Sequence, residues 1–374
     1  MKPSTLIHSL AIGLAALTLA GAALAVEFTG SGFLTLAAGK TLSKETPDGY
    51  TVVDYGQGAI YNTNQWKIGP DSKLGLQGIA TFNPQWSLTA QAVFRGAANG
   101  KADLEWLYAT WQASDDITVQ IGRKRLPLFY YSESQDIGLS LPWARLPSQA
   151  YGWDVVNFNG ANVIYHSKLG DWNSSAEVFY GNETRKNNPY LQIYSGPGSH
   201  TDESWKNIAG VDWTLAHDWL ELRFSAVQSY WQTSDPSTGD VTDNGRQSFL
   251  SAAAIIDYED WVVRSEYSKI DRPKEVASPE HDWALLFGVG YRFGKWLPMI
   301  THANYHGNYT VAGTPNERID DLALSLRYDL TASSDIKAQF DILHDHSEPG
   351  INTFTNSGRY GNAKMITFSY DMMF

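Results

Sequence analysis

The sequence contains no cysteine among its 374 residues, and charged residues make up only 18% of the chain. Without cysteine, the chain cannot form a disulfide framework, a thiolate zinc site, an iron–sulfur cluster or a cysteine nucleophile. Long hydrophobic runs are also missing beyond residue 25, where no stretch approaches the roughly 20 apolar residues of a membrane-spanning helix. These absences exclude a helical membrane bundle and every class of protein that depends on cysteine chemistry.

Aromatic side chains are abundant instead, with 14 tryptophans, 20 tyrosines and 15 phenylalanines. Hydrophobic residues reach 43%, which is typical of a folded chain and not of a disordered one. The formal net charge is −12 at pH 7. Because nucleic-acid binding depends on neutralising phosphates with lysine and arginine, this acidic balance argues against a nucleic-acid partner.

The first 25 residues have the pattern of an export signal. Lys2 precedes an apolar run from residue 10 to residue 24, and the segment ends in the small-x-small sequence Ala23-Leu24-Ala25. An N-terminal membrane anchor is the alternative, but no stop-transfer cluster of charges follows the run. We therefore expect a cleaved signal peptide over 1–25 and a single domain over 26–374.

A short polar turn followed at once by tryptophan recurs along the chain. Roughly ten residues of apolar/polar alternation follow each turn, as where Leu222 and Phe224 flank Arg223. Period-2 alternation indicates a β-strand with one greasy and one polar face. The tryptophans in this position are Trp86, Trp172, Trp219, Trp261 and Trp296. Because amphipathic rings prefer the level of the lipid headgroups, they predict a girdle at one rim of a membrane barrel.

Counting the alternating segments predicts an all-β protein with about sixteen antiparallel strands. The predicted strands cover residues 27–37, 73–82, 86–95, 102–112, 117–125, 158–169, 172–181, 204–216, 218–229, 247–258, 260–270, 282–293, 296–306, 318–330, 335–344 and 363–374. Turns of a few residues alternate strictly with longer polar loops, which is the pattern of a transmembrane antiparallel β-barrel.

The physics of the bilayer favours this barrel over a soluble β-sandwich. A spanning strand needs about 9 to 11 residues, and its edges must be paired because lipid offers no water to backbone groups. The polar faces here carry arginine, glutamate and aspartate, which a dry sandwich core would not tolerate unpaired. A barrel of sixteen strands is too wide for side chains to fill, so we expect an aqueous channel.

At this point the sequence resembles the Gram-negative sixteen-stranded porins over essentially all of 26–374. The chain ends in Phe374 with Met372 and Tyr370 at alternate positions before it, which is similar to the terminal strand that outer-membrane assembly machinery recognises. The resemblance implies an exported outer-membrane protein that contacts membrane lipid and lipopolysaccharide and forms a homotrimer. It implies no cofactor and no bound metal.

The resemblance also singles out the segment 126–157, which follows the fifth predicted strand. In porins of this type the loop at that place folds into the barrel and narrows it. Here the segment contains three prolines and many apolar residues, Phe129 and Trp143 among them, which favours a packed loop over a mobile one. We expect an inward constriction loop; the alternative is a surface loop that rests on the barrel mouth or on a trimer neighbour. The segment lacks the acidic, glycine-rich motif of the best-known porins.

Charged residues on the polar faces at mid-height, together with charges of the loop, are the candidates for setting selectivity. They are Arg223, Arg264, Arg327, Glu177, Glu266 and Asp341 on the strands, and Glu133, Asp136 and Arg145 on the loop. Glu133 and Asp136, opposed to wall arginines such as Arg223 and Arg264, would create a transverse field across the channel. Alternatively, the arginines form salt bridges with neighbouring wall carboxylates. The acidic excess suggests a mild preference for cations.

The predicted function is passive diffusion of small hydrophilic solutes and ions through an outer-membrane pore. A channel selective for a sugar or an organic anion remains open, because loop placement decides that choice. An outer-membrane barrel hydrolase is less favoured, since no Gly-x-Ser-x-Gly elbow occurs. His344 and His346 share one strand face and could bind a metal, although an exposed polar loop explains them better. An adhesive barrel ranks last.

Overall fold

The computed structural model describes residues 26–44, 53–54, 59–61, 65–152, 155–188, 200–273, 280–351, 359 and 361–374. The expected signal peptide, 1–25, lies outside the described residues and stays a prediction. Within the described ranges, no helix is both long enough and apolar enough to cross a membrane.

Sixteen antiparallel strands form a closed barrel, as the alternation predicted. Each strand pairs with its neighbours in sequence, and the last strand pairs with the first. The strands are β1 Glu27–Lys44, β2 Lys73–Asn83, β3 Trp86–Arg95, β4 Ala102–Gln112, β5 Ile117–Arg125, β6 Asn157–Leu169, β7 Trp172–Arg185, β8 Asp202–His217, β9 Leu220–Ser234, β10 Val241–Tyr258, β11 Trp261–Arg272, β12 Glu280–Tyr291, β13 Trp296–Tyr309, β14 Glu317–Thr331, β15 Ser334–Asp345 and β16 Ala363–Met373. A two-residue pairing of Val53–Asp54 with Ala59–Ile60 lies apart from the barrel.

Alternate residues of each strand face outward and inward. On β9, Phe224 is 42% exposed while its neighbours Arg223 and Ser225 are buried. On β12, Phe287 is exposed and Leu286 is buried. A continuous apolar outer surface with polar groups inside is the arrangement that a lipid environment requires.

The barrel closes where β16 meets β1. The backbone N–H of Gly32 donates to the Phe374 carbonyl at 2.8 Å, and the Phe374 N–H donates back to Gly32 at 3.0 Å. Met372 and Tyr370 pair in register with Leu34 and Leu36 on β1. The three residues predicted as an assembly signal therefore lie at the closing seam of the barrel.

Several strands extend further than predicted at the end that carries the long loops. β1 continues to Lys44, β9 continues to Ser234 and β10 begins at Val241. The extension of β10 is polar on both faces, as at Asp243 and Asn244, and that of β9 places the adjacent rings of Tyr230 and Trp231 on opposite faces. Because period-2 alternation is then lost while the hydrogen-bond ladder continues, the pattern alone placed these strand ends too early.

The five tryptophans of the repeat lie at the end of the barrel that carries the short turns. Trp86, Trp219, Trp261 and Trp296 are exposed, and Trp172 is half-buried. Most of them contact an aromatic ring of the neighbouring strand, for example Trp296 and Tyr328 with centroids 4.4 Å apart. This outward aromatic row has the geometry expected of an interfacial girdle.

Candidate functional site inside the barrel

Between β5 and β6, the described residues 126–152 and 155–156 lie inside the barrel, and we call them the inner loop. Its Pro127 carbonyl accepts a hydrogen bond of 2.7 Å from Ser225 on β9. Its Trp143 Nε1 donates to Thr301 on β13 at 2.8 Å, and its Arg145 N–H donates to Gln339 on β15 at 3.1 Å. Because inward side chains of distant strands make these contacts, the alternative of a loop resting on the mouth is excluded.

Apolar residues of the inner loop pack on the inner faces of β6 to β13. The loop contains one α-helical turn, α1 (Ser148–Tyr151). It contributes Leu126, Leu128, Phe129, Tyr131, Leu141, Trp143, Ala150, Tyr151 and Val155. The wall contributes Phe158, Phe179, Trp205, Ile208, Val227, Trp231, Phe249, Ile270, Leu286, Met299 and Ala303. Removing this much apolar surface from water fixes the loop against one side of the lumen.

A buried ion cluster attaches the inner loop to the opposite wall. The Asp136 carboxylate lies 2.5 Å from Arg95 Nη2 on β3 and 3.4 Å from Lys73 Nζ on β2, and it also pairs with Arg125 at the end of β5. Glu105 pairs with both arginines, at 2.6 and 3.1 Å. Burial by itself would raise the pKa of Asp136, but the charges of Arg95, Arg125 and Lys73 hold it well below its usual range.

Glu133 of the inner loop pairs directly with Arg223 on β9. The Arg223 guanidinium lies 3.1 Å from Glu133 and 2.8 Å from the wall carboxylate of Asp212. The Glu133 side chain is 46% exposed, whereas that of Arg223 is only 10% exposed. The carboxylate therefore presents its charge to the lumen while the guanidinium is covered by its partners.

Glu266 and Arg264, both on β11, contact the tyrosines of the inner loop. The Glu266 carboxylate accepts hydrogen bonds from the Tyr130 N–H at 2.8 Å and from the Tyr151 hydroxyl. Arg264 donates to the Tyr131 hydroxyl at 3.0 Å and to Asp257 at 2.9 Å. These bonds satisfy polar groups that the apolar packing would otherwise leave without water.

The tip of the inner loop sits on the closing seam of the barrel. Lys337 on β15 donates to the Gly138 carbonyl at 2.7 Å and to Asp371 on β16 at 2.8 Å. Thr35 on β1 donates to the same carboxylate at 2.5 Å. A Cβ on Gly138 would lie 1.8 Å from the Asp371 oxygen, so any other residue there would displace the carboxylate or the loop tip. Arg327 on β14 caps the adjacent turn by donating to the Leu139 carbonyl at 2.7 Å.

Arg145, near the end of the inner loop, approaches the base of the first long loop. Its Nε lies 3.6 Å from Asp71, whose carboxylate also accepts a hydrogen bond of 2.7 Å from Tyr61. A cavity of about 50 Å³ separates this pair from the Asp136 cluster. Asp341 faces the same interior and accepts a hydrogen bond of 2.6 Å from Gln339.

A larger cavity of about 510 Å³ opens on the long-loop side of the inner loop. Its lining includes Arg95, Lys101, Arg123, Glu183, Arg185 and Lys186. Arg123 pairs with Glu183 at 2.8 Å. Glu177, further down the wall, lies 3.8 Å from Lys124. Among the described residues, no group of three or more histidine, aspartate or glutamate side chains could hold a metal ion.

The expected opposition of loop carboxylates and wall arginines is only partly found. Glu133 does meet Arg223, but in direct contact and not across open water. The expectation was wrong for Asp136 and Arg264, since Asp136 pairs with cations of β2, β3 and β5, and Arg264 pairs with Asp257. Arg264 instead forms a salt bridge with a wall carboxylate, as the alternative expectation had it. Arg327 does the same, since its Nε lies 2.7 Å from Asp329.

The sequence did not single out Lys73, Arg125 and Lys337 as cations that hold the inner loop. Arg125 carries a signal in hindsight, because it is the last residue before the loop and its side chain faces inward. Lys73 and Lys337 are far from the loop in sequence, and only the strand order brings them to it.

Comparisons with known proteins agree with this architecture. The channel DcaP of Acinetobacter baumannii is 10% identical over 95% of this chain and all of its own, with a TM-score of 0.61. An anion-selective porin from Comamonas acidovorans is 12% identical, with 93% and 100% coverage and a TM-score of 0.58. OmpT of Vibrio cholerae in its trimer form is 11% identical, with 94% and 100% coverage and a TM-score of 0.56. At such identities the likeness establishes the fold alone.

A search of curated proteins finds no match to the sequence. The sequence profile of the Gram-negative porin family, however, matches residues 11–345. The match covers most of the chain and includes β1 to β15 and the inner loop. The chain therefore belongs to the Gram-negative porin family, and it is an outer-membrane channel for small solutes and not an enzyme.

Proposed function

We propose that the protein conducts small hydrophilic solutes and ions by passive diffusion, through a water-filled channel that the inner loop narrows. The observation that carries this proposal is the placement of the inner loop, which bonds to β2 and β3 on one side of the lumen and to β9, β11, β13 and β15 on the other. A segment fixed across the lumen in this way leaves only a restricted path for solutes.

We further propose that the constriction prefers cations. Carboxylates there are more exposed than the cations that pair with them, since the side chains of Glu133 and Asp257 are 46% and 56% exposed. The guanidinium groups that pair with them, Arg223 and Arg264, are only 10% and 13% exposed. Because exposed charge in a narrow lumen selects the counter-ion, the field inside the pore favours cations.

A homotrimer is proposed from the trimer form of the similar OmpT and from the outer surface of this chain. Gly30, Gly78 and Ala90 lie side by side on β1, β2 and β3, and all face outward. This row makes a flat surface on which a second barrel can pack closely. By the same resemblance, we propose export by the signal 1–25 and recognition of the Phe374 end by the barrel-assembly machinery.

A planar-bilayer recording of the refolded mature protein tests the channel. Stepwise openings are expected, in groups of three for a trimer, and a reversal potential of cationic sign in a KCl gradient. Glu133→Gln is expected to reduce cation selectivity, whereas the matched neutralisation Asp218→Asn, at an exposed short turn, leaves it unchanged. Protein that is verified as folded and inserted but carries no current would refute the proposal.

A channel selective for organic anions is the second candidate, favoured by the basic lining of the 510 Å³ cavity. Five cations line it, Arg95, Lys101, Arg123, Arg185 and Lys186, against the three carboxylates Asp103, Glu105 and Glu183. If the channel binds organic anions in this cavity, a dicarboxylate added on the long-loop side is expected to block KCl current in a saturable way. Block that does not saturate would exclude a binding site in this cavity.

A further inference from the structure

Four uncharged side chains on neighbouring strands face the lumen on one side of the barrel. Register pairs Gln77 on β2 with Gln91 on β3, and Gln91 with Trp106 on β4. Tyr108 lies two residues beyond Trp106 and therefore on the same face of β4. Gln77 shares the inward face of β2 with Lys73, whose ammonium group reaches the inner loop. We call Gln77, Gln91, Trp106 and Tyr108 the ring-and-amide wall.

The ring-and-amide wall lies beside the constriction. Trp106 directly follows Glu105 of the ion cluster, and β4 then continues toward its short turn. The Glu133 carboxylate of the inner loop is close enough to Tyr108 to interact with it electrostatically. A solute that passes Glu133 on its way through the channel therefore meets this wall.

The two rings of the wall present apolar surface to the lumen. Trp106 and Tyr108 are both half-buried, and their ring centroids lie 6.3 Å apart at an interplanar angle of 57°. The rings are therefore not stacked on one another. Beside Tyr108 two neighbouring positions carry no side chain, because register places Gly122 on β5 and Gly160 on β6 there. Exposed ring surface is stabilised when an apolar face of a solute covers it.

The two amides of the wall supply hydrogen-bonding groups for hydroxyls. Gln91 Nε2 donates to Gln77 Oε1 at 3.0 Å, which orients both side chains. The remaining amide atoms, Gln77 Nε2 and Gln91 Oε1, have no hydrogen bond within the described part of the chain. One of these atoms is a donor and the other is an acceptor, and a hydroxyl group can pair with either.

The wall itself carries no charge, and the ammonium group that approaches it is paired. Lys124 Nζ lies 5.5 Å from the centre of the Tyr108 ring and 3.8 Å from the Glu177 carboxylate. Ligand sites commonly combine apolar rings with a few polar groups that fix orientation. Rings and amides without net charge suit an uncharged solute that has hydroxyl groups and an apolar ring face, and a sugar has both.

From this combination we infer that the ring-and-amide wall binds an uncharged sugar, with the two aromatic rings against the C–H face of the sugar and the two amides on its hydroxyls. The inference deepens the proposed function and rests on it, because a sugar reaches the wall only through an open channel. None of the four residues lines the 510 Å³ cavity, so this site is separate from the one considered for organic anions.

The experiment measures block of KCl current by maltose, added to both sides of a planar bilayer that holds the refolded mature protein. Block of the wild type is expected to saturate with maltose concentration. Polyethylene glycol of the same hydrodynamic radius lacks the sugar ring and should reduce the current without saturation. Conductance in KCl alone reports any change in pore width.

Variants at the wall separate ring contact from bulk. Trp106→Leu keeps an apolar side chain but removes the ring, so the half-blocking maltose concentration should rise about fivefold, the scale of one lost ring contact. Trp106→Phe keeps a ring and should recover most of the affinity. Gln91→Leu leaves both rings and should raise the half-blocking concentration about threefold, the scale of one lost hydrogen bond. The matched control is Trp111→Leu, which removes an outward-facing ring from the same strand and should block as the wild type does.

Equal half-blocking concentrations in Trp106→Leu and Trp111→Leu would overturn the sugar site. Maltose block of the wild type that does not saturate would overturn it as well, and in both cases the KCl current would leave the channel itself supported. Inserted wild-type protein that carries no KCl current would refute the channel and the sugar site together, because no solute would then reach the wall.

Discussion

Replacing Asp136 with asparagine tests how the inner loop is held. The carboxylate is buried and pairs with Arg95, Arg125 and Lys73, so its loss leaves three cations with one fewer counter-charge in a site that excludes water. Asparagine keeps the shape and can still accept a hydrogen bond, so the change isolates the charge.

The expected loss of stability follows from the cost of an uncompensated buried charge. Removing one partner of a buried ion pair destabilises a protein by roughly 3–5 kcal/mol, and the acceptor that asparagine retains places Asp136→Asn near the lower end. Glu105 stays paired with both arginines and limits the loss further. We therefore expect about 3 kcal/mol, expressed as detachment of the inner loop before the barrel itself unfolds.

Two measurements test the expected loss of stability and the detachment of the loop. Urea unfolding in detergent gives the stability difference, and limited proteolysis reports release of the inner loop from the lumen. Asp218→Asn is the control, because it makes the same chemical change at a side chain that is 79% exposed. If Asp136→Asn is as stable and as protease-resistant as this control, the ion cluster does not hold the loop in place.

The pH dependence of stability tests the same role of the Asp136 charge. Because the folded-state pKa of Asp136 is depressed, its contribution is fully present above the unfolded pKa of about 4 and is lost as pH falls through the folded value. The difference in unfolding free energy between wild type and Asp136→Asn should be the same at pH 7 and pH 5, and about 1 kcal/mol smaller at pH 3. A gap that widens at pH 3 would contradict the assignment.

Three further predictions concern other contacts of the inner loop. Trp143→Phe removes the bond to Thr301 and is expected to cost about 1–2 kcal/mol in urea unfolding, with Trp143→Phe/Thr301→Val recovering part of it. Arg223→Gln unpairs Glu133, so the reversal potential in a KCl gradient should move toward stronger cation selectivity; movement toward anions would contradict it. Gly138→Ala should push the loop tip away from the seam and raise single-channel conductance, and an unchanged conductance would show that the tip does not narrow the pore.

The strands could be predicted from the sequence because lipid imposes a local rule on them. Outward residues within the band are mostly apolar and the residues between them can be polar, so β3, β4 and β5 were predicted with the same bounds that the structure gives. Above the band the rule lapses, and β9 and β10 continue through polar residues that the pattern could not assign.

The contacts of the inner loop could not be predicted in the same way. The register of each strand and its place in the barrel decide which wall residues reach the loop. Trp143 bonds to Thr301 and Arg145 to Gln339, across 158 and 194 residues of chain. Composition identified the inner loop as packed and the phase of alternation identified Arg223 as inward, but neither could say that Asp136 would face Arg95.

The position of Gly138 against the β1–β16 seam implies an order of events during insertion of the barrel into the membrane. Thr35 and Asp371 come together only after the last strand has paired with the first, and Lys337 arrives only with β15. The tip of the inner loop therefore has no docking surface while the chain is still an open sheet, although β5 and β6 flank it early in the sequence. Long-range contacts of this kind form late because the intervening chain must first be ordered. A barrel stalled before closure would be left with its inner loop undocked, and exposure of that loop to protease would then mark incompletely assembled protein.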